Sequence, residues 1–426
     1  MQPRRILFFA EAVTLAHAAR PIVLANSLEG LGHEPVMACA DRYSRFMANQ
    51  TWQTLPLNSI SSQRFLRSLA WGTPVYDLPT LRRYVAEDID LIERVKPDLI
   101  VGDFRLSLSV SARLVGIPYT TITNAYWSPF IRNMPFPLPV LPLSRCMPLA
   151  IAQPIFDAVK MRAFSLHCRP LNRLREEHGY PPFGNDLRLA YTDADYTLYA
   201  DAPAMFPVER LPPHHRFLGP ILWSPPVSAP NWWHDLPTDK PIVYVTLGSS
   251  GSSKVMRMVI DALADQPVTV IASTAGAPIP QTLSQNLHVA DYLPGIEAAA
   301  RASLVICNGG SPTSQQALAC GVPVLGIASN MDQFMNMAAV VRSGAGEVVR
   351  ADRVCVRLIR EAVVRMISEP DGRQGAKRLA RSFDELDSRQ NFRDFVSEIS
   401  GDGLARSTYS PKQQPLVARL VKSSTG

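Results

Sequence analysis

Short apolar runs of strand length recur along the chain, and stretches with helical spacing lie between them. The runs are Ile6–Ala10, Pro35–Cys39, Leu99–Asp103 and Tyr119–Asn124, then Ile242–Leu247, Val268–Ala272, Leu304–Cys307 and Val322–Ile327. A half-exposed strand alternates apolar and polar residues. These runs are continuously apolar, which predicts strands covered on both faces. Such strands interleaved with helices predict an α/β protein built on parallel sheets. The first helix is expected from about Ala18 to Leu31, with Pro21 in its first turn and Gly32 stopping it. Between the two sets of runs lies a segment holding Pro220, Pro225, Pro226, Pro230 and Pro237. It has little periodicity and reads as a linker. The expected organisation is therefore a first domain at 1–218, a linker at 219–240, a second domain at 241–400 and a flexible tail at 401–426. The last helix of the second domain is free to cross back to the first. Ligands of open α/β sheets sit beyond the carboxyl ends of the strands, so both halves should present loops to one cleft.

Composition narrows the class. The 426 residues suit two or three domains, and a hydrophobic content of 46% supports a sizeable core. A formal charge of +6 suits an anionic substrate or an anionic membrane surface. No dense Lys/Arg run with interleaved aromatics occurs, which argues against nucleic acid. The six cysteines include no C-x-x-C pair and no zinc spacing. They point to a reduced, cytoplasmic protein without a metal. Glu11 interrupts the first apolar run, which reads as a strand and not a signal peptide. No apolar run approaches the roughly 18 residues of a membrane span. Residues 133–166 break the rhythm, rich in proline at first and then apolar and weakly helical. They read either as an insertion lining the cleft or as a core helix with an irregular approach. A membrane-surface helix, and with it a peripheral membrane contact, is a third reading. It is disfavoured because the stretch is short and lacks flanking cationic rows.

The segment richest in chemistry runs Val305-Ile-Cys-Asn-Gly-Gly-Ser-Pro-Thr-Ser-Gln-Gln, continues through Gly321-Val-Pro-Val-Leu and ends in Met331-Asp-Gln-Phe-Met-Asn336. It predicts a strand, a Gly-Gly turn and a helix with Ser311 as N-cap and Pro312 in its first position. A helix starting there aims free N–H groups and a positive dipole end at the strand terminus, which makes an anion site. Ser311 and Thr313 add hydroxyls. Asp332 and Gln333 follow the next strand and suit sugar hydroxyls.

This set resembles the donor-binding signature of the UDP-glycosyltransferase superfamily, which reads His-Gly-Gly-x-Gly-Thr, then Gly-Val-Pro, then Asp-Gln-x-x-Asn. Tyr244-Val-Thr-Leu-Gly-Ser249 resembles the strand and turn that open the family's second domain, and Val289-Ala-Asp-Tyr-Leu-Pro294 resembles its base-holding segment. The resemblance implies a GT-B fold of two Rossmann-like domains facing a central cleft. It also implies an inverting transferase that uses a UDP- or dTDP-sugar as co-substrate and needs neither cofactor nor metal. The donor site would comprise Gly248, Ser249, Leu293, Asn308, Gly310, Ser311, Thr313, Asp332 and Gln333. Asn308 stands where the family has histidine, and Pro312 where it has its last glycine. Both departures point to an altered diphosphate contact.

Transfer with inversion needs a base for the acceptor hydroxyl. The family carries Gly-His-x-x-Pro after its first strand, and this chain has Leu15-Ala-His-Ala-Ala-Arg-Pro21. The resemblance implies His17 as base and Asp103, ending the Leu99 strand, as the carboxylate that orients it. Glu11 is the second candidate base. The acceptor is expected to be a small molecule or lipid, lipophilic or aromatic. Two other functions fit the same sequence: a nucleotide-sugar 2-epimerase, and a non-catalytic partner protein.

Overall fold

The computed structural model describes residues 4–131, 134–248, 251–276 and 284–401. Strands β1 (Arg5–Ala10), β2 (Glu34–Cys39), β3 (Gln53–Pro56), β4 (Leu99–Asp103), β5 (Tyr119–Thr123), β6 (Tyr196–Tyr199) and β7 (His215–Phe217) form one sheet in the order β3-β2-β1-β4-β5-β6-β7. Strands β8 (Ile242–Thr246), β9 (Thr269–Ser273), β10 (Leu287–Ala290), β11 (Leu304–Cys307), β12 (Val324–Ala328) and β13 (Gly346–Arg350) form the other, ordered β10-β9-β8-β11-β12-β13. Every strand pair is parallel. Each sheet is doubly wound, with its order reversing between β1 and β4 and between β8 and β11. A crevice opens at each reversal, because successive helices leave on opposite faces.

The first half carries α1 (Leu15–Ser27), α2 (Ser62–Trp71), α3 (Leu78–Val95), α4 (Leu108–Val115), α5 (Pro142–Cys146), α6 (Leu149–Glu177) and α7 (Leu187–Tyr191). The second carries α8 (Ser253–Leu263), α9 (Gly295–Arg301), α10 (Ser311–Ala319), α11 (Met331–Arg342), α12 (Val356–Ser368), α13 (Pro370–Asp384) and α14 (Ser388–Gly401). Helix α3 shows why these elements form. Asp77 accepts from the Thr80 N–H at 2.9 Å as N-cap. Leu81, Tyr84, Val85, Leu91, Ile92 and Val95 then recur at three- and four-residue spacing on the buried face.

Several sequence expectations need correction. Helix α1 starts at Leu15, not Ala18, so Pro21 lies inside it. A proline there deletes the hydrogen bond to the His17 carbonyl, and burial of the helix compensates. Residues 149–177 form one continuous helix in place of a weak one ending near 166. The segment at 219–240 is not a bare linker, since Trp233 is buried among residues of both halves. Helix α14 packs Phe392, Phe395 and Val396 against α1 and β1 of the first half. The expected tail, beyond Gly401, lies outside the described residues.

Candidate active site

The two sheet reversals face one another across a single cavity of about 360 Å³. From the first half, His17 comes on the opening turn of α1, and Asp103 ends β4 beside it. His17 Nδ1 lies 2.7 Å from Asp103 Oδ1. The carboxylate only accepts, so this contact takes the proton on Nδ1 and leaves the Nε2 lone pair for the cavity, although Arg20 Nη2 also lies 3.1 Å from Nδ1. The Asp103 side chain is fully buried and that of His17 is 18% exposed.

Arg20, one helical turn after His17, was not anticipated. Its Nε donates to Asp103 Oδ2 at 2.7 Å and its Nη2 to Oδ1 at 2.8 Å. Burial opposes the guanidinium charge, but the Asp103 ion pair more than offsets this and its pKa is raised. The i, i+3 spacing of His17 and Arg20 was the available signal. Arg20 also donates to Asn124 Oδ1 at 2.8 Å. Asn124 Nδ2 in turn donates to Ser311 Oγ at 3.1 Å across the cleft. Asp201 accepts from the Ala125 N–H at 2.6 Å and from Gln315 Nε2 at 2.8 Å, a second link between the halves. Burial lifts the Asp201 carboxyl to about 6 against its hydrogen bonds from Ala125 and Asn124.

Glu11 does not reach the cavity. Its carboxylate is fully buried, accepting from Arg105 Nη1 at 3.0 Å and from Tyr84 Oη at 3.0 Å. Arg105 also holds Asp88 at 2.9 Å and Glu87 at 2.8 Å, so the cluster braces the sheet. Burial raises the Glu11 pKa, partly countered by Arg105. The second candidate base is thereby set aside. Phe104 has φ of 61°, a left-handed conformation that is strained for a bulky residue. That turn stacks its ring on the His17 imidazole, centroids 4.7 Å apart.

On the donor side, α10 begins at Ser311 with Gly310 as N-cap and Pro312 in its first turn. The expected roles of Ser311 as cap and Pro312 as first residue are each shifted by one. Gly309 has φ of 79°, and a Cβ there would meet Met337 Cγ at 2.8 Å. The turn is held from below by Asn336, whose Nδ2 donates to the Gly309 carbonyl at 2.8 Å and to Ser314 Oγ at 2.8 Å. Asn308 Oδ1 accepts from the Gly310 N–H at 3.0 Å. Gly248, Leu293, Asn308, Gly310, Ser311, Thr313, Asp332 and Gln333 all line the cavity, while Ser249 lies outside the described residues. Gln333 also fastens its own loop. Its Oε1 accepts from the Ser329 N–H at 2.8 Å, and its backbone N–H is capped by Asn330. Asp332 Oδ1 accepts from the Trp127 indole N–H at 3.0 Å. Arg45 of the first half donates to Tyr292 Oη and stacks over its ring at 4.7 Å, beside Leu293. Neither Trp127 nor Arg45 was visible from local sequence.

Two doubly wound sheets meeting reversal to reversal, with a histidine–aspartate pair on one side and a glycine turn opening a helix on the other, define the GT-B class of glycosyltransferase. Residues 257–389 match the family described as erythromycin biosynthesis protein CIII-like, C-terminal domain. A PGL/p-HBAD biosynthesis glycosyltransferase of Mycobacterium tuberculosis (strain ATCC 25177 / H37Ra) is 49% identical over 380 residues, 89% of each chain. A PGL/p-HBAD biosynthesis rhamnosyltransferase of Mycobacterium bovis (strain BCG / Pasteur 1173P2) is 48% identical over 380 residues, 89% of this chain and 84% of that one. The spinosyn rhamnosyltransferase SpnG complexed with thymidine diphosphate aligns with a TM-score of 0.64 at 15% identity, over 92% of this chain and 100% of that one. The chain belongs to the family of the mycobacterial PGL/p-HBAD biosynthesis glycosyltransferases, and it is an enzyme of sugar transfer.

Proposed function

We propose that this enzyme moves a sugar, with inversion, from a UDP- or dTDP-sugar to a hydroxyl of an aromatic or lipophilic acceptor. One observation carries the reading. A single cavity joins His17 to the start of α10 and to Asp332, and its other wall is made of Phe65, Phe104, Trp127, Phe164 and Tyr191. The acceptor ring lies on that wall. His17 Nε2 takes the hydroxyl proton while the oxygen attacks the anomeric carbon, and the bond from that carbon to the diphosphate breaks. Asp103, fixed by Arg20, stabilises the imidazolium. The free N–H groups opening α10 receive the charge that develops on the diphosphate, in place of a metal ion. Asp332 and the Gln333 amide hold sugar hydroxyls. The relatives named for rhamnosyl transfer, and SpnG with thymidine diphosphate, favour a dTDP-deoxysugar.

An epimerase reading has no use for the aromatic wall, and a non-catalytic partner has no use for the His17–Asp103 pair. The test is to incubate the enzyme with UDP- and dTDP-sugars, with and without a phenolic acceptor. Expected is a glycoside of inverted anomeric configuration, formed only with acceptor. Epimerised donor, or a glycoside of retained configuration, overturns the proposal.

A further inference from the structure

Among the described residues, six of the eleven large apolar side chains that stand exposed belong to α6 or to the end of α2, beside the aromatic end of the cavity. Ile151, Ile155, Val159, Met161 and Leu166 of α6 are exposed, and Trp71 at the end of α2 is 66% exposed. The opposite side of α6 buries Ala152, Phe156, Phe164 and Cys168, and Phe156 and Phe164 line the cavity. One helix thus forms a wall of the acceptor space and also displays an apolar stripe to solvent. At 100° per residue, Ile151, Ile155, Ala158, Arg162, Leu166 and Arg169 share that stripe. The end of α2 is tied to it, with His167 Nε2 at 3.2 Å from the Gly72 carbonyl oxygen. Leu69 and Gly72 also line the cavity, so Trp71 stands at its rim.

The charges within the stripe are positive. Arg162 and Arg169 are exposed within the stripe, Arg67 lies one turn before Trp71, and Arg145 is exposed on α5. Helices α2 and α5 contain no carboxylate. Asp157 on α6 is paired with Lys160 at 2.9 Å, while Glu176 and Glu177 sit at the far end with Arg173 and Arg82. The cationic flank missing from the local sequence is assembled from three helices. No helix among the described residues is long and apolar enough to cross a membrane.

We infer that the face formed by α2, α5 and α6 rests on an anionic phospholipid surface, from which a lipophilic acceptor passes directly into the cavity. Apolar side chains enter the acyl boundary and arginines meet lipid phosphates, the balance typical of interfacial helices. The acceptor's route rests on the transfer reading above; the docking itself does not.

Vesicle flotation of the full chain tests it, using phosphatidylcholine alone and phosphatidylcholine with about one-third phosphatidylglycerol. Flotation with the anionic vesicles, released by high salt, is expected. Ile155→Asp/Val159→Asp and, separately, Arg162→Glu/Arg169→Glu should each cut partitioning by about tenfold or more. Both variants should transfer sugar to a short water-soluble phenol at the wild-type rate, which shows that they fold and tests the transfer reading on its own. Wild-type protein that stays with the soluble fraction overturns the inference, and so do folded variants that float as well as wild type. Self-association of the wild type without vesicle binding, lost in the variants, assigns the face to a second copy and also overturns it.

Discussion

Arg20 and His17 share one carboxylate, and this shapes what each residue can do. With both Asp103 oxygens already accepting from Arg20, the aspartate in the proposed transfer holds the His17 tautomer and balances two cations. Replacing His17 by Ala should lower kcat by roughly 10²–10⁴-fold, the usual worth of a general base, with nucleotide affinity unchanged. Asp103→Asn should lower kcat in the same direction. The double change should be no worse than the more damaging single one, because the pair acts as a unit. Near-full turnover by His17→Ala would remove the base assignment. Asp332 has the sugar as its expected partner. Asp332→Ala should weaken binding of intact donor, measured calorimetrically, and leave the free nucleotide diphosphate nearly unaffected. An equal loss for both would move Asp332 from the sugar to the nucleotide.

At the scale of elements, the proposed diphosphate contact rests on the start of α10. The left-handed turn at Gly309 fits against Met337, with Asn336 fastening its carbonyl. Gly309→Ala adds a left-handed penalty of about 1–2 kcal/mol and a clash with Met337. Because the added Cβ must push the turn away from Met337, donor nucleotide binding should weaken by about tenfold or more, each 1.4 kcal/mol of lost contact being tenfold. An unchanged Kd would mean that the turn does not cradle the phosphates. On the proposed reading helix N–H groups take the place of a cation, so activity should be full in excess chelator. A loss restored by magnesium or manganese would sink that view. Helix α1 makes the opposite compromise. It keeps Pro21 in its interior and still delivers His17 and Arg20 to one face.

Across the whole molecule, the halves are joined by Asn124 to Ser311, Gln315 to Asp201, Trp127 to Asp332, and by α14 returning to the first core. Near that junction His215 lies against Tyr199, its Nδ1 2.7 Å from the phenol oxygen. Burial lowers the His215 pKa to about 4, aided by His214. The unfolded chain therefore binds a proton near pH 6.5 that the native state resists. The stability His215 contributes is complete above pH 6.5 and is lost as pH falls towards 4. Thermal unfolding followed from pH 7 to pH 4 should show wild-type Tm dropping more steeply than that of His215→Gln. Parallel curves would show that His215 carries none of the acid sensitivity.

The α/β class, the two halves and the loop after β11 were legible because each is written in local periodicity and short motifs. Apolar runs name buried strands, and Gly309-Gly-Ser before a helical stretch names a tight turn into a helix. His17 and Asp103 could be picked out one by one, but their 2.7 Å contact required β1 and β4 to be neighbours in the sheet. Glu11 resembles a base from its place after β1, because its partner Arg105 arrives 94 residues later and only then buries it. The strained turn at Phe104, the Trp127–Asp332 contact and the cationic rim of α6 left no local trace either. Periodicity reports which side of an element is apolar. It carries no information about which distant side chain will occupy the space opposite, since that is fixed only when packing brings the elements together. Sequence determined the class and the positions of the reacting loops. Tertiary structure decided which charges are paired, which carboxylate faces the cavity and which surface is left bare.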